Sequence, residues 1–306
     1  MKEQVLDFLK THILPEQTIL VAVSGGVDSM VLLDIVRQYI DSSFIVVATI
    51  DHKVRDDSSI AVDCVQHYCQ LHNLGYCIST LDWKEGEKIS EETMREKRYT
   101  ILRELKKKHH AQYILNAHHQ DDHIETFLFR MIRGSGLRGL TSFKNSSGDI
   151  LRPLFSFNKE EIIQYARENN ISWVEDSTNQ QNIYARNHIR NVLIPEIKKI
   201  HPTAQQNIAQ VIYDLQEWHS VHINFIENWL YQNPIPFHCE TFLLLPDIIQ
   251  REILQHIAQR CGKVLSRGHM QEVLEIIKAK KGNKKTFISD EYYFGVYKNQ
   301  VFLKKI

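Results

Sequence analysis

The stretch ILVAVSGGVDS, residues 19–29, joins an apolar run to a glycine-rich turn, and the apolar-periodic Met30–Leu33 follows. This order predicts a strand, a tight loop and a helix. Such a loop commonly binds phosphate, because glycines let backbone N–H groups approach an anion and the helix N-terminus favours negative charge. The stretch therefore predicts an α/β fold with a phosphate site at the end of its first strand.

The loop differs from two common phosphate-binding loops. It lacks the Gly-Lys-Ser/Thr ending of a Walker A loop and the Gly-x-Gly-x-x-Gly of a dinucleotide loop. It offers the backbone of Gly25 and Gly26 and the hydroxyls of Ser24 and Ser29. A carboxylate beside phosphate is repulsive unless a divalent cation lies between, so Asp28 predicts a Mg²⁺ site. The alternative is a simple turn in which Asp or Ser caps the helix.

Continuous apolar runs alternate with helical patterns through the first half of the chain. Because strands separated by helices of this length pair in parallel, the pattern predicts a doubly wound, mostly parallel sheet. Ligands of such sheets bind at the carboxyl ends of the strands. The predicted strands are 18–24, 44–50, 76–80 and 111–117, and the predicted helices are 27–40, 57–72, 91–109 and one beginning near Gln120.

The later part of the chain changes character twice. Residues 134–158 predict loops with one extended piece at Leu151–Phe155, and Asn158 resembles the N-cap of a helix. A long amphipathic pattern at about 203–231 and an alternating C-terminal segment follow. We therefore predict a catalytic domain at 1–200 and a smaller, mainly helical α+β domain at 201–306.

Composition narrows the classes of function. Lys+Arg and Asp+Glu both number 37, so any RNA site must be a local patch rather than a global field. The five cysteines form no Cys-x-x-Cys pair, which indicates reduced thiols in a cytoplasmic protein and argues against an iron–sulfur or zinc centre. No apolar run is long enough to span a bilayer, and the N-terminus is unlike a secretory signal.

A second group of polar residues lies in NAHHQDDHIETFLFRMIRGSGLRGL, residues 116–140. On a helix, Asp121, Asp122 and Glu125 share one face near the positive N-terminal end. Such a cluster binds a metal ion or the ammonium groups of a substrate, or is a solvated face. His118 with Asp122 is a further candidate metal pair, although a histidine beside a capping loop is more often only hydrogen-bonded.

These motifs resemble those of known families. SGGVDS is similar to the pyrophosphate-binding loop of the PP-loop (N-type) ATP pyrophosphatases. HHQDDHIETFL with RGSGLRGL resembles the signature of the tRNA(Ile)-lysidine synthetase family. This chain departs from the family's pattern at two positions, where Val54 stands in place of the usual leucine and Met94 in place of the usual alanine. The C-terminal part resembles that family's first C-terminal domain more loosely, which implies a tRNA-binding role for residues 201–306 and a short form without the second domain. Further pieces in the family's order are DHKVRDDS (51–58), MREKRY (94–99), RPLF and KEEI (152–162), WVEDSTN (173–179) and RNHIRNVLIP (186–195).

The resemblance implies a reaction in two steps. ATP adenylates O2 of the wobble cytidine in a tRNA(Ile) with a CAU anticodon and releases pyrophosphate. The ε-amine of L-lysine then attacks C2 and AMP departs, which changes the codon specificity from AUG to AUA. ATP is thus the cosubstrate, Mg²⁺ the expected metal ion, and tRNA(Ile) and L-lysine the expected partners.

The resemblance also implies roles for individual residues. Asp122 and Glu125 would bind lysine, and Asp28 would bind Mg²⁺. The implied catalytic residues are Asp28, Arg98, Asp122, Glu125 and Arg190, and the implied ATP-binding residues are Ser24, Gly25, Gly26, Val27, Asp28, Ser29, His52 and Arg55.

Three alternatives stay open beside this interpretation. A tRNA thiolase adenylates a base but needs a sulfur-carrying cysteine or a cysteine-bound cluster. A small-molecule amide ligase would not need RGSGLRGL, EDSTN or a further domain, and a non-catalytic nucleotide-binding module would not need the acids and arginines. The sequence leaves open whether a homodimer forms and which basic patch contacts tRNA: Lys106–Lys108, the set Arg130, Arg133 and Arg138, or Lys278–Lys285.

Overall fold

The computed structural model describes residues 1–51, 58–81, 83, 90–175, 185–279 and 284–306. The chain divides into two compact units, Met1–Leu215 and Gln216–Ile306. The domain boundary predicted near residue 200 precedes this division. The two roles predicted for the parts remain predictions.

The first unit is built on one sheet. Among the described residues it has six strands in the order β3-β2-β1-β4-β6-β5, and every neighbouring pair except β5 with β6 is parallel. This arrangement confirms the predicted α/β class with a doubly wound, mostly parallel sheet. The strands are β1 (Ile19–Ala22), β2 (Ile45–Asp51), β3 (Gly75–Thr80), β4 (Tyr113–Leu115), β5 (Ser146–Ser147) and β6 (Ile150–Leu151).

Helices precede, connect and follow these strands. They are α1 (Lys2–His12), α2 (Val27–Val36), α3 (Ser58–Leu71), α4 (Glu91–Lys108), α5 (Gln120–Ile132), α6 (Leu137–Leu140), α7 (Lys159–Glu168), α8 (Ala185–His188), α9 (Ile194–Ile200) and α10 (Ala204–Gln232). A short 3₁₀ turn, Ser42–Phe44, precedes β2, and a π-helical stretch, Ile189–Leu193, joins α8 to α9.

The central helix α2 is buried almost completely. Asp28 is the one residue of this helix, all of which the structure describes, that is not buried. Its apolar residues pack with β1 and β2 in one large core that includes Val21, Met30, Leu33 and Val47. Burial on nearly all sides explains why most of the sequence of α2 is apolar rather than amphipathic, with Asp28, Ser29 and Asp34 as its polar residues.

One predicted strand is wrong in its length. The extended piece expected at Leu151–Phe155 is a strand only through Leu151, because the Phe155 N–H donates to the Arg152 carbonyl and closes a turn. The cap predicted next to it is confirmed: the Asn158 side chain accepts from the Glu161 N–H at 2.9 Å, and α7 follows.

The second unit packs helices against a small antiparallel sheet, ordered β7-β10-β9-β8 within the described residues. Its core contains Phe242, Ile253, Phe294 and Val301. The hairpin strands predicted from the alternating C-terminal segment are present. The elements are β7 (Phe237–His238), α11 (Cys239–Leu243), α12 (Asp247–Arg260), α13 (Arg267–Ala279), β8 (Lys284–Phe287), β9 (Tyr292–Tyr297) and β10 (Gln300–Lys305).

Two further observations concern the whole chain. None of the five cysteines, all of which lie in the described ranges, forms a disulfide. Across the described ranges, no helix combines the length and the apolar character that crossing a membrane requires.

Candidate active site

The candidate site lies where the strand order of the large sheet reverses. Strand β1 lies between β2 and β4, so the segments that follow β1 and β4 leave the sheet at neighbouring carboxyl ends. In doubly wound sheets this reversal opens the crevice in which ligands bind. The glycine-rich loop follows β1 and the acidic segment follows β4, so the fold brings both sequence motifs to one crevice.

The loop after β1 is shaped by Gly25 and Ser29. Gly25 has a φ of +82°, and a Cβ there would lie 2.8 Å from the carbonyl oxygen of Ala61. Ser29 Oγ accepts the Ser24 N–H at 3.1 Å and donates to the Gly26 carbonyl at 2.9 Å. Position 25 therefore requires glycine, and the Ser29 hydroxyl holds the loop in its turn.

Helix α2 begins without a side-chain cap. Its N-cap is Gly26, and none of the described side chains accepts a hydrogen bond as a cap there. The first turn carries Val27, which is buried, and Asp28, whose side chain is 26% exposed. Because N–H groups at a helix start lack partners inside the helix, this end can bind an anion. Ser24 to Ser29 thus form one turn suited to phosphate.

A lysine that the sequence motifs did not single out binds Asp28. Lys159 Nζ lies 2.7 Å from each carboxylate oxygen of Asp28, although 131 residues separate the two. The ring Nε2 of His119 lies 3.8 Å from Asp28 Oδ2. The carboxylate that the sequence assigned to Mg²⁺ is therefore paired with an ammonium group here.

The acidic helix α5 begins with a reciprocal cap. His119 is the N-cap, its ring accepts from the Asp121 N–H, and Asp122 Oδ2 accepts from the His119 N–H at 3.0 Å. The cap fixes Asp122 at the mouth of the crevice, with 22% of its side chain exposed. Glu125 lies one turn further on and is buried, with 4% of its side chain exposed. The predicted shared face of Asp122 and Glu125 is present.

Arg190 joins these two carboxylates. Its Nε and Nη2 lie 2.5 and 2.8 Å from the two oxygens of Glu125, and Nη2 lies 3.3 Å from Asp122 Oδ1. Arg190 belongs to the π-helical stretch between α8 and α9. Single π turns of this kind occur often at functional sites. The fold thus brings Arg190, Asp122 and Glu125 together, and Arg190 holds both oxygens of Glu125.

The two carboxylates differ in acidity. Burial alone would raise the pKa of Asp122, but the imidazoles of His119 and His118, the His119 N–H and the Arg190 guanidinium hold it well below its usual range. Burial raises the pKa of Glu125, and the hydrogen bonds from Arg190 limit the rise. Asp122 is therefore the carboxylate that favours the ionised form, whereas Glu125 is the one better suited to accept a proton.

His118 and Arg98 lie at the same end of the crevice. The pKa of His118 is lowered to about 3, chiefly by burial and also by the charges of Arg152, Arg95 and Arg98, against the attraction of Asp122. These interactions place Arg98, on α4, within electrostatic reach of His118. At this pKa the imidazole of His118 is neutral at physiological pH rather than a cation.

Arg152 is a second residue that the sequence left without a role. It is buried, with 4% of the residue exposed. Its Nη1 donates to the Lys144 carbonyl at 2.7 Å, and its guanidinium lies 4.8 Å from the ring centre of Phe143. A buried arginine close to Asp122 and His118 is a positive charge built into the wall of the crevice.

Two candidate residues lie outside the described part of the chain. His52 and Arg55 belong to residues 52–57, and most of WVEDSTN also lies outside it. Their expected roles at the nucleotide remain predictions. A sequence signal did exist for Lys159 and Arg152, since both belong to the quoted RPLF and KEEI pieces. Nothing in those pieces indicated which strand end they would face.

The fold and the site define a class of protein. A family model for the PP-loop domain matches residues 1–197, so the chain belongs to the PP-loop family. The loop after β1, with its uncapped helix start, is the part of the molecule that this family name describes.

Among curated proteins, the chain is similar to several described as tRNA(Ile)-lysidine synthase. It is 36% identical over 259 residues to one from Thermosipho africanus, covering 80% of this chain and 60% of that protein. It is 37% identical over 200 residues to one from Thermotoga maritima, covering 63% of this chain and 48% of that protein. The chain thus spans between about half and three fifths of the length of these relatives.

Among solved structures, the chain resembles a U34-tRNA thiolase, NcsA from Methanococcus maripaludis, determined with its [4Fe-4S] cluster. The TM-score is 0.60 at 16% identity, and the match covers 71% of this chain and 77% of that one. At this identity the likeness concerns the fold alone.

Proposed function

We propose that this chain ligates L-lysine to C2 of the wobble cytidine of a tRNA(Ile) with a CAU anticodon and converts ATP to AMP and pyrophosphate. The observation that carries the proposal is the meeting of the phosphate loop with the Asp122, Glu125 and Arg190 group in one crevice. Similarity to proteins described as tRNA(Ile)-lysidine synthase supports the choice of substrates.

The first step is adenylation of the cytosine O2. The oxygen attacks the α-phosphorus of ATP, the bond to the β-phosphate oxygen breaks, and pyrophosphate leaves with the electron pair. The loop Ser24–Ser29 and the uncapped start of α2 suit the departing pyrophosphate, because both offer N–H donors to developing negative charge. Arg98 and Arg190 suit the α-phosphate, because a guanidinium binds phosphate oxygens through two N–H groups.

Mg²⁺ fits the donors at Asp28. Magnesium in nucleotide sites is commonly held by one or two carboxylates together with phosphate oxygens and water. Within the described ranges, no cluster of three or more His, Cys, Asp or Glu suited to a metal occurs. One carboxylate shared with the phosphates is therefore the arrangement that this site supports. When bound there, Mg²⁺ would neutralise charge on the pyrophosphate.

The second step needs a neutral lysine amine. Asp122 is the more open of the two carboxylates and is ionised, so we propose that it binds an ammonium group of lysine. The pKa of Glu125 is raised above the ordinary value of a glutamate, so Glu125 accepts a proton as the ε-amine attacks. Both oxygens of Glu125 are held by Arg190 in this structure. The substrate lysine and Arg190 therefore both interact with Glu125. Arg190 can also bind the α-phosphate of ATP.

The basic patches differ in how much charge they offer to RNA. In the first patch, Lys106 Nζ lies 3.0 Å from Asp149. In the second, Arg130 Nη1 donates to the Gly139 carbonyl at 2.7 Å. The third, Lys278–Lys285, lies partly outside the described residues. Internal partners thus occupy part of the first two patches, so we propose a surface that includes Lys285 of the third patch as the main RNA contact.

That surface is the outer face of the sheet in the second unit. Its register places Phe302 opposite Gly295, and a Cβ at Gly295 would lie 2.4 Å from the Phe302 ring, so the glycine makes room for the ring to lie on the sheet. Rings that stack on bases and lysines that bind phosphates are the usual elements of RNA-binding sheets. Two lysines of the sheet and one in the turn after β9 lie close to a ring: Lys285 over Tyr293 at 4.7 Å, Lys304 over Phe302 at 5.3 Å and Lys298 over Tyr297 at 5.5 Å.

A tRNA thiolase is the runner-up function. The solved thiolase that shares this fold carries a [4Fe-4S] cluster. The five cysteines of this chain include no Cys-x-x-Cys pair, and none of them, all being described residues, forms a disulfide. Free thiols and a tRNA substrate both suit a cytoplasmic enzyme, which is the location we propose.

Incorporation of labelled lysine into tRNA transcripts tests the proposal. The reaction contains ATP and Mg²⁺ and compares tRNA(Ile) transcripts that carry CAU or GAU anticodons. We expect incorporation into the CAU transcript alone, with one AMP formed per lysine. Incorporation into neither would contradict the proposal, and cysteine-dependent sulfur transfer would favour the thiolase.

A further inference from the structure

The phosphate loop contains no lysine of its own, and the fold supplies one from elsewhere. Lys159 is the first residue of α7, after the cap formed by Asn158. Its backbone N–H donates to the Asp121 carboxylate, and the neighbouring Phe157 carbonyl accepts the Gln120 N–H at 2.8 Å. The start of α7 is therefore tied to the start of α5, on the β4 side of the crevice.

The side chain of Lys159 reaches across to the loop. Its Nζ lies 2.7 Å from both oxygens of Asp28, in the first turn of α2. The exposed fractions are 37% for the lysine and 26% for the aspartate, so a ligand entering the crevice can reach the ammonium. A pair that served stability alone would gain little at this exposure, because water screens it.

The charges in the crevice favour a second partner for the ammonium group of Lys159, in addition to Asp28. Ser24–Ser29 include one acid and neither lysine nor arginine. A pyrophosphate leaving group carries several negative charges, and α2 provides only the partial charge of its N-terminus. If Asp28 binds Mg²⁺ as proposed above, the phosphate oxygens are the acceptors that remain for Lys159.

We propose that Lys159 is a catalytic residue that binds the pyrophosphate group of ATP, in the role that the loop lysine has in a Walker A site. It donates to the β- and γ-phosphate oxygens and stabilises the charge that develops when the bond from the α-phosphorus breaks. Asp28 holds the ammonium at the loop until the nucleotide arrives. This inference rests on the proposed ATP chemistry and adds to it a residue 131 positions from the loop.

The first test measures pyrophosphate release from ATP by Lys159→Met, Lys159→Arg and the wild type. Removing one donor from developing charge typically costs about 100-fold to 1,000-fold in rate. We expect a loss of that size in kcat for Lys159→Met and at least partial rescue by Lys159→Arg. The matched control is Lys263→Met, because Lys263 is 32% exposed and lies 2.8 Å from Glu291 in the second unit. It should retain the wild-type rate.

The second test does not depend on turnover. Inorganic pyrophosphate is titrated calorimetrically into the wild type, Lys159→Met and Lys263→Met, and thermal unfolding is followed for all three. We expect Lys159→Met alone to weaken pyrophosphate binding at least about tenfold. A Lys159→Met variant with wild-type pyrophosphate affinity, whatever its unfolding temperature, would overturn the assignment. A wild type that binds pyrophosphate through Lys159 but fails to use lysine and tRNA would instead contradict the proposed function.

Discussion

Arg190 and Glu125 lie 65 residues apart in the chain, and the arginine places Nε 2.5 Å and Nη2 2.8 Å from the two oxygens of the buried carboxylate. The same guanidinium also contacts Asp122, with Nη2 3.3 Å from Oδ1. Removing either member therefore affects stability and chemistry differently.

Arg190→Ala should destabilise the fold, because it leaves Glu125 buried without a partner. Breaking a buried pair costs about 3–5 kcal/mol, and we expect the lower end since Arg190 is 37% exposed. Adding Glu125→Gln should recover much of that loss, because a neutral amide is less costly to bury. Urea unfolding of both single variants and the double variant measures the coupling. Additive losses would show that the pair does not contribute to stability.

Asp28→Ala should abolish AMP formation while tRNA retention on a filter stays close to that of the wild type. The reason is that Asp28 holds Lys159 and is the proposed Mg²⁺ ligand, whereas the proposed RNA surface is in the second unit. Asp28→Asn, which keeps the side-chain volume, controls for packing. Preserved AMP formation in both variants would contradict the role of this carboxylate.

Gly25→Ala should disable the loop. Alanine at a φ of +82° is strained, and its Cβ would meet the Ala61 carbonyl at 2.8 Å. We expect at least about a tenfold loss of ATP turnover, which corresponds to about 1.4 kcal/mol. Gly148→Ala is the matched control, because Gly148 has a φ of +61° but nothing within 4 Å of the added Cβ. Equal losses in the two variants would mean that the contact with Ala61 is unimportant.

His118 should remain neutral across the physiological pH range. Its pKa is lowered by burial from 6.5 to about 3. The stability from a neutral His118 is therefore present above pH 6.5 and is lost as the pH falls toward 3, by at most about 1.4 kcal/mol per pH unit. An NMR titration, with the signal assigned through His118→Gln, should show no shift between pH 5 and 8 beyond about 0.1 ppm. A midpoint near pH 6.5 would disprove the burial of this ring.

Phe302→Ala should weaken tRNA binding by about 1 to 3 kcal/mol if a base stacks on the ring. Tyr231→Ala provides a control, since Tyr231 is 88% exposed but lies on α10 rather than on the sheet. Filter binding of the tRNA(Ile) transcript at a fixed salt concentration measures both. Unchanged affinity of Phe302→Ala for tRNA would contradict stacking on this ring and would favour the first two basic patches as the RNA contact.

Local patterns predicted most of the elements that frame the site. The apolar run, the glycine turn and the period of α2 sufficed for the strand, the loop and the helix that follow one another at residues 19–36. The cap at Asn158 was equally local. The predicted strand at Leu151–Phe155 was wrong beyond Leu151, because a turn through Pro153 follows and apolar residues do not by themselves distinguish a turn from an extended chain.

The sequence by itself determined which residues belong to the loop and to the acidic face of α5, because both depend on neighbours within one or two turns of chain. Only the tertiary structure decided that Lys159 would meet Asp28 and that Arg190 would meet Glu125. Those meetings depend on the placing of β1 between β2 and β4, which sets segments distant in sequence at one edge of the sheet. Strand order follows from the packing of all the layers together, and no local periodicity records it.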